Sequence, residues 1–193
     1  PYFDNIYISD PGYKVEWEDL GAQSVHTLPL SAACPITFQE IINKNKDNKC
    51  YDIIFIGNLD IKSYEYRLEL LNFLISRGID IKIWTYIQNE ESLEGYPLII
   101  KNIQGSAYGK DMIHIYSQSK IVLNLHSPTV PSGGNMRLFE IPLTNALQIA
   151  DRCHNKWFSD KIDIVLFTDK YDLLNKIYFY LNHEQERARI SYN

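Results

Sequence analysis

The sequence predicts an α/β fold: a mainly parallel sheet covered by helices on both faces, preceded by a small β-α-β unit. Short apolar runs at 51–56, 79–85, 121–126, 147–150 and 162–167 have the length of buried strands. Between them, apolar residues recur at helical spacing, as in Tyr64, Leu68, Leu71 and Ile75, and again in Tyr171, Leu174, Ile177, Tyr178 and Leu181. Strands joined through helices run parallel, and a parallel sheet buries both of its faces.

In chain order, Asn5-Ile6-Tyr7-Ile8-Ser9 alternates like a strand and runs into the turn Asp10-Pro11-Gly12. Residues 13–20 read as a short helix stopped by Gly21, and 24–30 as a second extended segment. A helix over 37–45, capped at Thr37 or its neighbour, carries Phe38, Ile41 and Ile42 on its apolar side. After a polar loop, the first strand of the main sheet ends at Gly57, and the helix that follows is stopped by Gly78. The strand at 79–85 leads to a polar, acidic loop at 88–96, an extended piece at 97–103, and Gln104-Gly105-Ser106. Residues 109–119 form a helix with Met112, Ile115 and Tyr116 on one face. The run at 121–126 then enters Ser132-Gly133-Gly134-Asn135, and the next helix starts near Leu138, because Pro142 has no N–H to give and suits a first turn. A strand at 147–150, a segment with Trp157 and Phe158, a strand at 162–167 and helices over 171–181 and 183–190 close the chain.

A chain of 193 residues supports one good core and an appendage, not two full domains with a cleft between them. The net charge of -5 argues against a basic nucleic-acid-binding face, and 45% hydrophobic content against disorder. Cys34, Cys50 and Cys153 have no paired spacing and read as reduced thiols of a cytosolic protein. No apolar run approaches the ~20 residues that span a bilayer. The chain begins at Pro1 without a methionine, so a piece of a longer or processed protein is expected.

Two glycines ahead of a helix let backbone N–H groups approach an anion, so 132–135 suggests a phosphate seat. Glu140, in the first turn of a helix starting near Leu138, is placed to accept hydrogen bonds from a pair of sugar hydroxyls. Its alternative is a helix-start carboxylate with no ligand.

The string Asn135-x-Arg137-x-Phe139-Glu140-Ile141-Pro142, with 121–126 before it and Ile149-Ala150-Asp151-Arg152 after it, resembles the C-terminal half of GT-B glycosyltransferases. It is most similar to the branch with the spore-maturation-type group 1 proteins, and the likeness runs from about Tyr51 to Arg189. The resemblance implies a Rossmann-like nucleotide-sugar-binding domain over 37–193. Residues 1–36 would be the last unit of an acceptor-side domain with its linker, the rest of that domain being absent from this chain. It implies a cytoplasmic, metal-independent hexosyltransferase that needs no cofactor and takes a nucleotide-diphosphate sugar and an unknown acceptor. In such enzymes the glycine-rich loop and helix start hold the diphosphate, and a glutamate at the position of Glu140 binds the ribose. The missing domain would supply the general base, so no catalytic residue is assigned here.

In open α/β sheets ligands sit beyond the carboxyl ends of the strands, which adds further candidates. Gly57 and Asn58 mark either a close backbone approach to a phosphate or a plain turn. Many relatives have arginine where Asn58 stands, which leaves Arg67 and Arg137 to supply positive charge; each is otherwise a surface ion-pair residue. His126 contacts a phosphate or sugar, or is a hydrogen-bonded structural residue. Gln104 and Gly105 touch the base through main-chain groups, or form a simple turn. Gly133, Gly134, Asn135 and Glu140 complete the set. Ser132 stands where many relatives carry a second glutamate, and Asn145 replaces the glycine that usually ends the helix. The rival expectation is a non-catalytic nucleotide-binding or assembly module.

Overall fold

The computed structural model describes residues 3–30, 35–45, 48–86 and 93–192; Cys34 and much of the acidic loop at 88–96 lie outside them. The first unit is the expected β-α-β. Strand β1 (Ile6–Ile8) pairs in parallel with β2 (Val25–Thr27), Ile6 opposite Val25, across a 3-10 turn at Pro11–Tyr13 and helix α1 (Lys14–Asp19).

The main unit runs α2 (Pro35–Asn45), β3 (Tyr51–Ile56), α3 (Ile61–Ser76), β4 (Ile81–Trp84), α4 (Pro97–Asn102), β5 (Ile103–Gly105), α5 (Gly109–Ser117) and β6 (Ser119–Asn124). It continues through α6 (Met136–Glu140), a 3-10 turn at Pro142–Thr144, β7 (Leu147–Ala150), β8 (Val165–Leu166), α7 (Lys170–Asn182) and α8 (Glu184–Ser191). The six strands are all parallel, in the order β5-β4-β3-β6-β7-β8. The chain therefore starts in the middle at β3, builds outward to β5, and crosses back to β6 before building the other way. That reversal puts a crevice between the carboxyl ends of β3 and β6.

Alternation along the strands sorts two cores. Ile53, Phe55, Ile81, Ile83, Ile121 and Leu123 face one side and pack under Leu68 and Leu71 of α3, Ile99 of α4 and Leu173 and Ile177 of α7. Ile54, Ile56, Trp84 and Val122 face the other, under Phe38 and Ile42 of α2 and Ile113 and Tyr116 of α5.

Four expectations are corrected. Residues 97–102 are a helix, not an extended piece: Pro97 at the first position presets helical φ, and Ile99 turns into the core. The strand at 162–167 shrinks to Val165–Leu166, with Asp163 and Lys161 tied into a turn on Ser159 and Ile164. Strand β6 sits two residues earlier than the apolar run suggested. Helix α6 starts at Met136, because the Asn135 side chain caps it by accepting from Leu138 N at 2.9 Å; Pro142 opens a separate 3-10 turn. Glu140 is therefore the last residue of α6 and gains nothing from a helix start. Asn145 does end this region in a left-handed conformation, φ 56°.

Candidate functional site

Gly57 follows β3 directly, and a Cβ there would lie 2.7 Å from Cζ of Phe55, so any side chain would have to displace that ring. Beyond it, Gly57, Asn58, Thr85, Tyr86, Tyr108 and Arg137 line a hollow of about 280 Å³. A second hollow, of about 460 Å³, lies at the start of α3 and is lined by Tyr64, Arg67, His126 and Arg152 among others.

Two guanidiniums lie at these hollows. Arg67 donates from Nη1 to the Asn58 carbonyl at 3.0 Å and stacks on Tyr64, whose ring centroid is 4.1 Å away. The backbone breaks from helical geometry at Tyr64, φ -140°, in the turn of α3 before Arg67. Burial, and next the charge of Arg137, pull Arg67 down to about 10, so it remains a cation at neutral pH. Neither arginine forms an ion pair among the described residues, and the Nε atoms of both are buried without a partner. Arg67 is buried and Arg137 half-buried, and two like charges at one crevice, neither in an ion pair, suit a dianionic ligand.

Glu140 is only 4% exposed, and its carboxyl is raised from the ordinary value by burial, with Arg137 opposing. It accepts no hydrogen bond among the described residues. Tyr116 lies within electrostatic reach of both; burial raises its hydroxyl well above the usual range. Such a carboxylate is a ready acceptor for hydroxyl donors.

The glycine loop behaves otherwise than expected. Ser132 N donates to both carboxylate oxygens of Asp10, at 3.0 and 3.2 Å, and Gly134 N reaches one of them at 3.5 Å; Gly133 N goes to the Val130 carbonyl. A Cβ on Gly133 would strike the Arg152 carbonyl at 2.6 Å, and one on Gly134 the Trp157 ring at 2.6 Å. These amides thus hold an anion in this structure, and the anion is Asp10 of the first unit. The Asn135 side chain caps α6 and exchanges hydrogen bonds with Asn124 at 2.8 and 3.2 Å, a polar ladder that Gln148 extends to the Leu138 carbonyl. Its amide is engaged structurally.

Gln104 and Gly105 sit on the edge strand β5, and the Gly105 carbonyl accepts from Thr85 N at 2.8 Å. The hollow beside them is walled instead by Ala107 and Tyr108. His126 binds Asp151 through Nδ1 at 2.6 Å and leaves Nε2 buried and unpartnered. Thr85, Tyr86 and Tyr108 were missed in the sequence, though each follows a strand's carboxyl end, where ligands gather. Among the described residues no three His, Cys, Asp or Glu side chains converge on a metal site, and no helix is long and apolar enough to cross a membrane.

The strand order and the crevice define a Rossmann-like domain of the GT-B kind. The chain belongs to the glycosyl transferase-like family, whose model matches residues 67–193, more than half of its length. Among solved structures it is similar to Anabaena Alr3699/HepE, determined with UDP and glucose: TM-score 0.67 at 10% identity, over 98% of this chain and 57% of that one. It is similar also to WaaG, a glycosyltransferase involved in lipopolysaccharide biosynthesis, with TM-score 0.63 at 11% identity, over 99% of this chain and 69% of that one. A glycosyltransferase from Rickettsia africae gives 0.60 at 12% identity, over 97% and 56%. At these identities the likeness shows the fold. The chain spans 57% of the length of the first of these structures, and no curated protein sequence matches it.

Proposed function

We propose that this chain is the donor-binding half of a glycosyltransferase, holding a nucleotide-diphosphate sugar whose sugar passes to an acceptor. The observation that carries it is the pair Arg67 and Arg137 at the sheet's topological switch point, like charges that repel each other, each with a buried Nε that has no hydrogen-bond partner. A diphosphate between them relieves that repulsion and, as leaving group, gains charge they stabilise without a metal. The base then lies in the first hollow between the exposed rings of Tyr86 and Tyr108, and the ribose hydroxyls donate to Glu140.

Because HepE was determined with UDP and glucose, uridine diphosphate is the first candidate and a hexose the first candidate sugar. The kinship with the spore-maturation-type branch is part of this proposal and rests on the 135–142 string. So are a cytoplasmic site, which the free thiols Cys50 and Cys153 suit, and a general base contributed by the remainder of an acceptor-side domain whose last unit is residues 1–36.

Calorimetric titration with UDP, GDP, ADP and their hexose conjugates tests this. Binding of one family, weakened by Arg137→Ala, is expected; a folded sample that binds none at millimolar concentration overturns it. A donor that binds with no hydrolysis or transfer by the longer protein would leave a non-catalytic module instead.

A further inference from the structure

The second hollow is bounded by the start of α3, the end of β6 and the residues that follow β7. Asp151 organises its floor. One carboxylate oxygen accepts from His126, from Nδ1 at 2.6 Å and from the backbone N–H at 3.1 Å; the other accepts from Arg152, from Nε at 3.2 Å and Nη2 at 2.9 Å. Burial pushes this carboxyl up, but the hydrogen bonds and charge of His126, with Arg152, outweigh it and hold it below the usual range. Both oxygens are therefore engaged and the group stays ionised.

Two residues that line the same hollow each carry a buried nitrogen with no partner. These nitrogens are Nε2 of His126, a residue 1% exposed, and Nε of Arg67, a residue 5% exposed. At the rim Lys62 and Glu65 are both exposed and offset each other. Asp151 is engaged by Arg152 and His126 and also favours the charged form of Arg67, which itself forms no ion pair among the described residues. With Lys62 against Glu65 and Arg152 against Asp151, the charge of Arg67 leaves the hollow net positive.

We propose that this hollow is an oxyanion subsite, adjoining the diphosphate seat and sharing Arg67 with it, that takes a carboxylate or phosphate group borne by the transferred sugar or by the acceptor. Its position next to the donor rests on the nucleotide-sugar assignment; its affinity for an oxyanion does not. His126, held to Asp151 through Nδ1, brings its unpartnered Nε2 to this site. Arg152 keeps further N–H groups for the same ligand, and Arg67 faces it from α3.

The test is calorimetry on the full chain with paired probes: UDP-glucuronate against UDP-glucose, and glucose 6-phosphate against glucose with UDP present. Tighter binding of UDP-glucuronate by about tenfold or more identifies a sugar-borne anion. Binding of glucose 6-phosphate but not glucose identifies an acceptor-borne one. Either preference disappears in Arg152→Gln and in His126→Asn, which keeps an N–H towards Asp151 but lacks Nε2, while UDP binds both variants as it does the parent. Equal binding within both pairs, or a preference that survives both variants, overturns the subsite. If no nucleotide binds, the donor assignment fails, and glucose 6-phosphate alone then decides: binding that Arg152→Gln removes upholds the subsite, and no binding overturns it.

Discussion

Replacing Asp10 by alanine should unfasten the first unit from the glycine loop. The Asp10 carboxylate is buried and accepts Gly12 N at 2.8 Å within its own turn, and Ser132 N at 3.0 Å and Gly134 N at 3.5 Å from a loop more than a hundred residues away. Hydrogen bonds to a charged group contribute about 1.5–3 kcal/mol each, and a buried N–H left without a partner forfeits a similar amount. With the Ser132 bond counted in full and the 3.5 Å contact as weak, truncation costs about 2–4 kcal/mol. For a chain of this size that is a fall in Tm of roughly 5–12 °C. Asp10→Asn, which keeps one acceptor oxygen, should lose about half as much. Thermal melts followed by circular dichroism read the global cost, and amide exchange at Ser132 reads the local one if the first unit merely undocks. An Asp10→Ala variant that melts within about 1 °C of the parent, with Ser132 exchange unchanged, would refute the clasp.

The other predictions concern the crevice and its supports. Arg137→Ala and Arg67→Ala should each weaken nucleoside diphosphate binding by about 10- to 100-fold in calorimetry, the worth of one charge-assisted contact. Asn135→Ala removes a helix cap and strands Asn124, at a cost of about 1–3 kcal/mol by urea unfolding, with the nucleotide affinity falling because α6 carries Arg137 and Glu140. The Asp151 carboxyl is depressed below 3.8, so its contribution to stability is present above that pH and is lost as pH falls through the lower folded value. Asp151→Asn should accordingly flatten the acid limb of a stability-against-pH curve. Glu140 is the opposite case: its carboxyl is raised above 4.5, so stability falls as pH rises from 4.5 through the raised value. Glu140→Gln should therefore raise the Tm of the ligand-free protein at neutral pH while weakening nucleotide binding.

Much of the fold was legible because strand and helix patterning is local. Ile53 and Ile54 alternate between two cores, Leu68 and Leu71 repeat at helical spacing, and Gly78 stops α3, each visible within a short window. The misreading of 97–102 arose where a brief apolar run fits both periods, and Pro97 tipped it towards helix. The site was legible only in part. Arg67 lines the hollow at the start of α3 and Arg137 the one beyond Gly57, both near strand ends where the sequence directs attention, but the partner of the Ser132 and Gly134 amides lies in the first unit. No local pattern reports a contact between Asp10 and Ser132. Asn135 looked like a loop donor because its cap on Leu138 depends on where α6 begins, and Pro142 drew that start too late.

The central claim is that Glu140 receives the ribose of a nucleotide whose diphosphate lies between Arg67 and Arg137. Titrating UDP against 2′,3′-dideoxy-UDP, with the parent and with Glu140→Ala, tests it as a cycle. The account predicts that the parent prefers UDP by about tenfold or more and that the preference vanishes in the variant. Equal affinity of the parent for the two nucleotides, or a preference untouched by Glu140→Ala, would contradict it.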